Sequence, residues 1–163
     1  MKRTSILLLL SLLISVCAAA CSTTTPASST DAASSTTEFS GTKLNLNTVT
    51  KDELLANIPG FTSRMVREFQ EYRPYASIQQ FRKEIGKYVG DAQVTEFEKY
   101  VYVPISINDS DSETLQQIPG LDSTEAATLM AGRPYASTEE FITKLTGFIS
   151  ADELDIAKTY LGE

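Results

Sequence analysis

The chain has 163 residues, room for one domain or two small ones, with 14 Lys and Arg against 21 Asp and Glu and a formal charge of −7. It holds no His and only two Cys, Cys17 and Cys21, which excludes a Ser-His-Asp triad, a Cys-His pair, a His-ligated zinc and a four-thiolate metal site. The acid excess argues against a protein whose whole surface grips nucleic acid, and 42% hydrophobic residues suffice for a packed core.

Residues 1–20 read as a targeting segment. Lys2 and Arg3 are a positive start, Ile6 to Val16 is an apolar run too short to span a bilayer comfortably, and Ala18, Ala19 and Ala20 precede Cys21. A Cys straight after three small residues resembles a bacterial lipobox, with Ala18 where Leu is usual. The resemblance implies cleavage before Cys21, lipid on its thiol and an extracytoplasmic, membrane-anchored protein. Loss of Lys2 and Arg3 leaves 12 basic against 21 acidic side chains, a net of −9. Residues 21–42 are the lipidated Cys and a linker: 13 of the 21 residues after Cys21 are Ser or Thr, too polar to order themselves. As a flexible coil this linker has an end-to-end distance of about 25 Å.

The remainder repeats itself. At an offset of 60, Ile58-Pro59-Gly60 falls on Ile118-Pro119-Gly120, and Arg73-Pro74-Tyr75-Ala76-Ser77 falls on Arg133-Pro134-Tyr135-Ala136-Ser137. Asn47 and Asn108 match at 61, which puts the missing residue of the second copy before its first helix. The expected fold is therefore all-α: two tandem units, residues 43–104 and 105–163, of about four short helices each.

In chain order, Leu44-x-Leu46 and Ile105-x-Ile107 are extended lead-ins with apolar residues for the core. Thr50-x-x-Glu53 and Ser110-x-x-Glu113 read as capping boxes opening the first helix, whose apolar side is Leu54, Leu55 and Ile58. Pro-Gly stops that helix, and Thr62 or Asp122 caps the second, which faces inward with Val66 and Phe69 or Ala126 and Leu129. Ser77 and Ser137 cap a third helix that buries Phe81 and Ile85 or Phe141 and Leu145. The fourth carries Val94, Phe97, Tyr100 and Val101, matched by Leu154, Ala157, Tyr160 and Leu161.

Leu-Asn-Leu-Asn-Thr, Glu-Leu-Leu, Ile-Pro-Gly-Phe and Phe-Gln-Glu-Tyr-Arg-Pro-Tyr resemble the helix-hairpin-helix domain of the competence protein ComEA and its relatives. The likeness covers residues 44–104 well and 105–163 more weakly. It implies two helices joined by a Gly-hydrophobic-Gly hairpin whose backbone N–H groups hold a DNA phosphate without reading sequence. The phosphate contacts it implies are Gly60, Phe61, Thr62 and Ser63, with Lys51, Arg64 and Arg67 around them. Related hairpin domains also occur where no DNA is bound, as in an extrinsic subunit of photosystem II.

The chain departs from that pattern. The second hairpin Gly is Thr62 in one copy and Asp122 in the other, and Asp122 would both occupy the N–H donors and repel a phosphate. Lys51, Arg64 and Arg67 become Asp111, Thr124 and Ala127. Residues 43–104 carry 9 basic and 8 acidic side chains, while residues 105–163 carry 3 and 11. DNA contact is thus confined to the first copy.

Arg73 and Arg133 read as structural, bonding carbonyls or a carboxylate. Tyr75 and Tyr135 read as packed with the hydroxyl outward. Asp109, Asp111 and Glu113 lack the Gly turn and distal Glu of a calcium loop and read as caps. No nucleophile-base pair or apolar carboxylate pair is found, so neither catalysis nor a cofactor or metal is expected. Two functions stay open: an interaction or scaffold module with an unidentified protein partner, and a tethered non-specific binder of duplex DNA.

Overall fold

The computed structural model describes residues 42–162; the targeting segment, Cys21 and most of the Ser/Thr linker lie outside the described residues. These residues are mostly helical. In chain order they form β1 (Leu44–Asn45), α1 (Lys51–Asn57), α2 (Ser63–Glu71), α3 (Ile78–Val89), α4 (Asp91–Phe97) and β2 (Val101–Tyr102). There follow α5 (Ser112–Leu115), α6 (Ser123–Ala131), α7 (Thr138–Leu145) and α8 (Ala151–Tyr160). No helix among the described residues is long and apolar enough to cross a membrane.

Two hydrophobic clusters follow the sequence repeat. The first runs from Leu46 to Val103 and centres on Phe69, whose ring meets Phe61, Phe81 and Phe97 edge-on at 4.7, 5.2 and 5.5 Å. The second runs from Tyr102 to Tyr160 and puts Leu121, Leu129 and Ala157 where the first has Phe61, Phe69 and Phe97. Burying one such side chain stabilises by about 1.5–3 kcal/mol, so among the described residues the first cluster, with 16 buried residues against 13, is the larger reservoir.

Each lead-in pairs in parallel with the far end of its own repeat. Leu44 aligns with Val101, held by Leu44 N–H to Tyr100 O (2.7 Å) and Leu46 N–H to Tyr102 O (2.9 Å). Ile105 likewise bridges Leu161 through Ile105 N–H to Tyr160 O at 2.7 Å. Asn47 then clamps the lead-in to the Arg-Pro-Tyr turn: its amide accepts from Tyr75 N–H (2.8 Å) and donates to Tyr75 O (3.0 Å). Asn108 repeats both bonds on Tyr135 at 2.8 and 3.1 Å.

Four sequence expectations about the helices are corrected. The box at Thr50 forms, but Ser110 does not cap α5; Asp111 does, accepting from Thr114 N–H at 2.7 Å, while the Ser110 hydroxyl accepts from Ser106 N–H. The missing residue therefore falls after the start of the helix and not before it. Ile58 N–H reaches back four residues to Leu54 O, whereas Ile118 N–H reaches back three to Leu115 O. Thus α5 is one tight turn. In α1 the buried residue is Leu54, and Leu55 is only half-buried. The fourth helix of the first repeat stops at Phe97, because Val101 and Tyr102 leave it for the strand pairing, whereas α8 runs on through Tyr160.

The tyrosine hydroxyls also turn inward. Tyr75 donates to Phe69 O (3.0 Å) and Tyr135 to Leu129 O (2.7 Å), covering carbonyls at the ends of α2 and α6. Burial pushes the Tyr75 phenol far above its ordinary value. Arg73 and Arg133 are structural: Arg73 donates to Val49 O at 2.7 Å, and Arg133 to Ile107 O (2.9 Å) and Ser110 O (2.7 Å).

The repeats share a polar seam. Ile78 N–H donates to the buried Thr114 hydroxyl (3.0 Å), and Gln117 accepts from Val103 N–H and donates to Val103 O. Arg82 grips Glu98 through two bonds (2.6 and 2.9 Å) and reaches Glu113 at 2.9 Å.

Candidate functional site

The first hairpin turns on Gly60, whose φ of +70° is a conformation that a Cβ would strain. Phe61 N–H closes the turn on Ile58 O at 3.1 Å, and the ring enters the core. Thr62 then caps α2 with a single long bond, its hydroxyl accepting from Met65 N–H at 3.3 Å. The N–H groups of Ser63 and Arg64, at the first turn of α2, have no intrahelical partner. A Cβ built on Gly60 would meet nothing within 4 Å, so this corner is open to solvent.

The second hairpin makes the same turn on Gly120, at φ +79°, and closes it. Asp122 Oδ1 accepts from both Thr124 N–H and Glu125 N–H at 2.8 Å, and Glu125 returns the bond by accepting from Asp122 N–H at 2.9 Å. Above them lies the Glu153 carboxylate of α8: a Cβ built on Gly120 would stand 2.5 Å from its Oε1. Glu153 is itself fixed by the Ser150 capping box. Those bonds from the Ser150 backbone and hydroxyl hold its carboxyl below the usual range. In the first repeat the matching residues are the neutral Thr62 and Gln93.

The implied phosphate contacts divide into three groups. Lys51, Ser63 and Arg67 share a shallow groove of about 490 Å³ with Val66, Gln70 and Glu71. Gly60, Thr62 and Arg64 are exposed but do not line it. Phe61 contributes neither ring nor N–H to a ligand, since one is in the core and the other is bonded. Arg67 reaches only Glu68, at 3.6 Å, and Lys51 and Arg64 form no ion pair among the described residues. Cys21 lies outside the described residues.

Asp109, Asp111 and Glu113 do not converge. Asp109 accepts from the Ser106 hydroxyl, Asp111 caps α5, and Glu113 pairs with Arg82. No group of three potential metal-ligating side chains is found among the described residues.

Two features escaped sequence reasoning. One is Glu153, 33 residues beyond Gly120, whose only sequence signal is the exchange of Gln93 for Glu at the matching register. The other is a polar cavity of about 320 Å³ at the seam, lined by Lys43, Arg82, Glu98, Glu113 and Gln116 among others, where burial pushes the Lys43 ammonium down. Comparison with protein families, with curated proteins and with solved structures finds no match to this chain.

Proposed function

We propose that this chain is a non-enzymatic, extracytoplasmic protein of two tandem helix-hairpin-helix units, anchored to a membrane by lipid on Cys21, and that it acts as a protein-interaction or scaffold module. The observation that carries this reading is the closed second hairpin. Its donors are taken by Asp122 and the Glu153 carboxylate stands against its turn, so a motif suited to anions is occupied by its own carboxylates. With 11 acidic against 3 basic side chains, residues 105–163 repel duplex.

A second reading, non-specific duplex binding through the first hairpin, is favoured by the open Gly60 corner and by the uncommitted cations Lys51 and Arg64 beside Arg67. One titration separates the two. Residues 43–163 are added to labelled duplex at about 50 mM salt, where phosphate contacts are strong. Duplex binding predicts a Kd of roughly 10⁻⁴–10⁻⁶ M and a log–log salt slope of about −2 to −3. Arg64→Glu with Arg67→Glu then abolishes the complex, and Lys144→Glu with Lys158→Glu leaves it unchanged. The interaction-module reading predicts no complex up to about 100 μM, the weak end of non-specific binding.

A further inference from the structure

The outer face of α8 is exposed and of mixed character. Asp152, Asp155, Ile156 and Thr159 stand at i, i+3, i+4 and i+7, one stripe of the helix, and all four are exposed. Ile156 is 44% exposed and, with Tyr88, is one of two large apolar side chains left in solvent among the described residues. It is no relic of the repeat, since the matching residue of α4 is Glu96, paired with Lys99.

The groove over α2 is the complement of this stripe. Its lining carries Lys51 and Arg67 around Val66, with one carboxylate, Glu71. The second repeat has no such cations, for Ala127 replaces Arg67 and Ser112, the first residue of α5, stands where Lys51 begins α1. Each repeat thus holds one half of a matched pair: on α8 an Ile flanked by Asp152 and by Asp155, whose carboxylate holds Lys158 at 2.9 Å and would exchange it for a cation of the groove, and on α2 a groove whose cations Lys51 and Arg67 stand around the edge of the nearly buried Val66.

We propose that α8 of one copy seats in the α2 groove of a second copy, with Ile156 toward Val66 and with Asp152 and Asp155 against Lys51 and Arg67. The mode is that of an amphipathic helix in a groove. Because the two patches differ, the contact is head-to-tail and propagates into rings or short filaments. One helix face buries less than a standard interface, so the pairing is weak and screened by salt. The inference rests on the interaction-module reading and names a second copy of the chain as the partner.

The test is density-matched sedimentation of the full chain in detergent, with charge reversals on both patches. Wild type is expected to gain mass with concentration at about 50 mM salt and to return to monomer at about 1 M, where the Debye length is near 3 Å. Lys51→Glu with Arg67→Glu is expected to be monomeric at both salts, as is Asp152→Lys with Asp155→Lys. Mixed one to one, the two variants are expected to associate again, which also shows that each is folded. Wild type that stays monomeric at low salt overturns the proposal, and so do variants that associate like wild type when alone. A monomeric wild type that binds no duplex overturns self-pairing and leaves the interaction-module reading with another partner. A monomeric wild type whose duplex binding needs Arg64 and Arg67 overturns both.

Discussion

At Gly60 and at Gly120 the backbone makes nearly the same turn, φ +70° and +79°, after the same Ile-Pro, and then enters a nine-residue helix. What stands beside the turn is opposite. The first has a single hydroxyl cap and empty space; the second has a two-way capping box and a carboxylate delivered from another helix. Backbone geometry alone therefore does not assign a ligand to such a corner. Two substitutions, Thr to Asp and Gln to Glu at matched positions, separate an open helix-start corner from one filled by the protein itself.

The largest expected difference lies in the cores. Phe69→Ala removes the ring at the centre of the aromatic group and is expected to cost about 3–5 kcal/mol; Leu129→Ala, at the matching position of the second cluster, removes a smaller side chain and is expected to cost about 2–4 kcal/mol. Denaturant unfolding of both variants measures this, and a loss below about 1 kcal/mol for Phe69→Ala contradicts its place at the centre.

Next come the turns. Gly60→Ala carries only the left-handed backbone penalty, about 1–2 kcal/mol. Gly120→Ala carries that and also displaces the Glu153 carboxylate, so its unfolding midpoint should fall further. Equal losses would mean that Glu153 swings away without cost.

The caps are expected to differ by less. Asp122→Ala should fall near the top of the usual range of about 0.5–2 kcal/mol and Thr62→Ala near the bottom, because Asp122 serves two N–H groups at 2.8 Å and Thr62 one at 3.3 Å.

The smallest effect concerns acid. Hydrogen bonds from the Thr50 and Ser150 backbones, then from their hydroxyls, hold Glu53 and Glu153 below the ordinary 4.5. A carboxyl lowered on folding stabilises above its unfolded value, and that stabilisation is lost as pH falls through the folded value. Unfolding midpoints followed from about pH 6 to about pH 3 should fall less in the double variant Glu53→Gln, Glu153→Gln than in wild type.

Much of this was legible because the repeat reports on itself. Two copies of Ile-Pro-Gly and Arg-Pro-Tyr-Ala-Ser located the turns, and the i, i+3 spacing found Val66, Phe69, Ala126 and Leu129 as buried. Misreadings arose where local signals competed. Ser110 and Asp111 are both good caps, and only the bond from Ser106 N–H to the Ser110 hydroxyl decides between them. The end of α4 is set by a strand partner 57 residues upstream, beyond what a helical stripe reports. Around the first hairpin, the residue types showed the cations, but only the fold parts Lys51 and Arg67, which share a groove, from Arg64, which stands outside its lining. The closure by Glu153 depends on how α8 lies against the turn, which no local pattern encodes.

The parallel pairing of Leu44 with Val101 also fixes a path for force. A pull that enters the described residues at Lys43 meets the bonds Leu44 N–H to Tyr100 O and Leu46 N–H to Tyr102 O at once. The strands run the same way, so tension between residue 43 and residue 103 slides one past the other and loads both bonds together. It does not peel them apart in turn. The pull then passes along residues 103–105 into the pairing of Ile105 with Leu161, without first stretching the helices between. Mechanically, each repeat is a loop clasped at its neck.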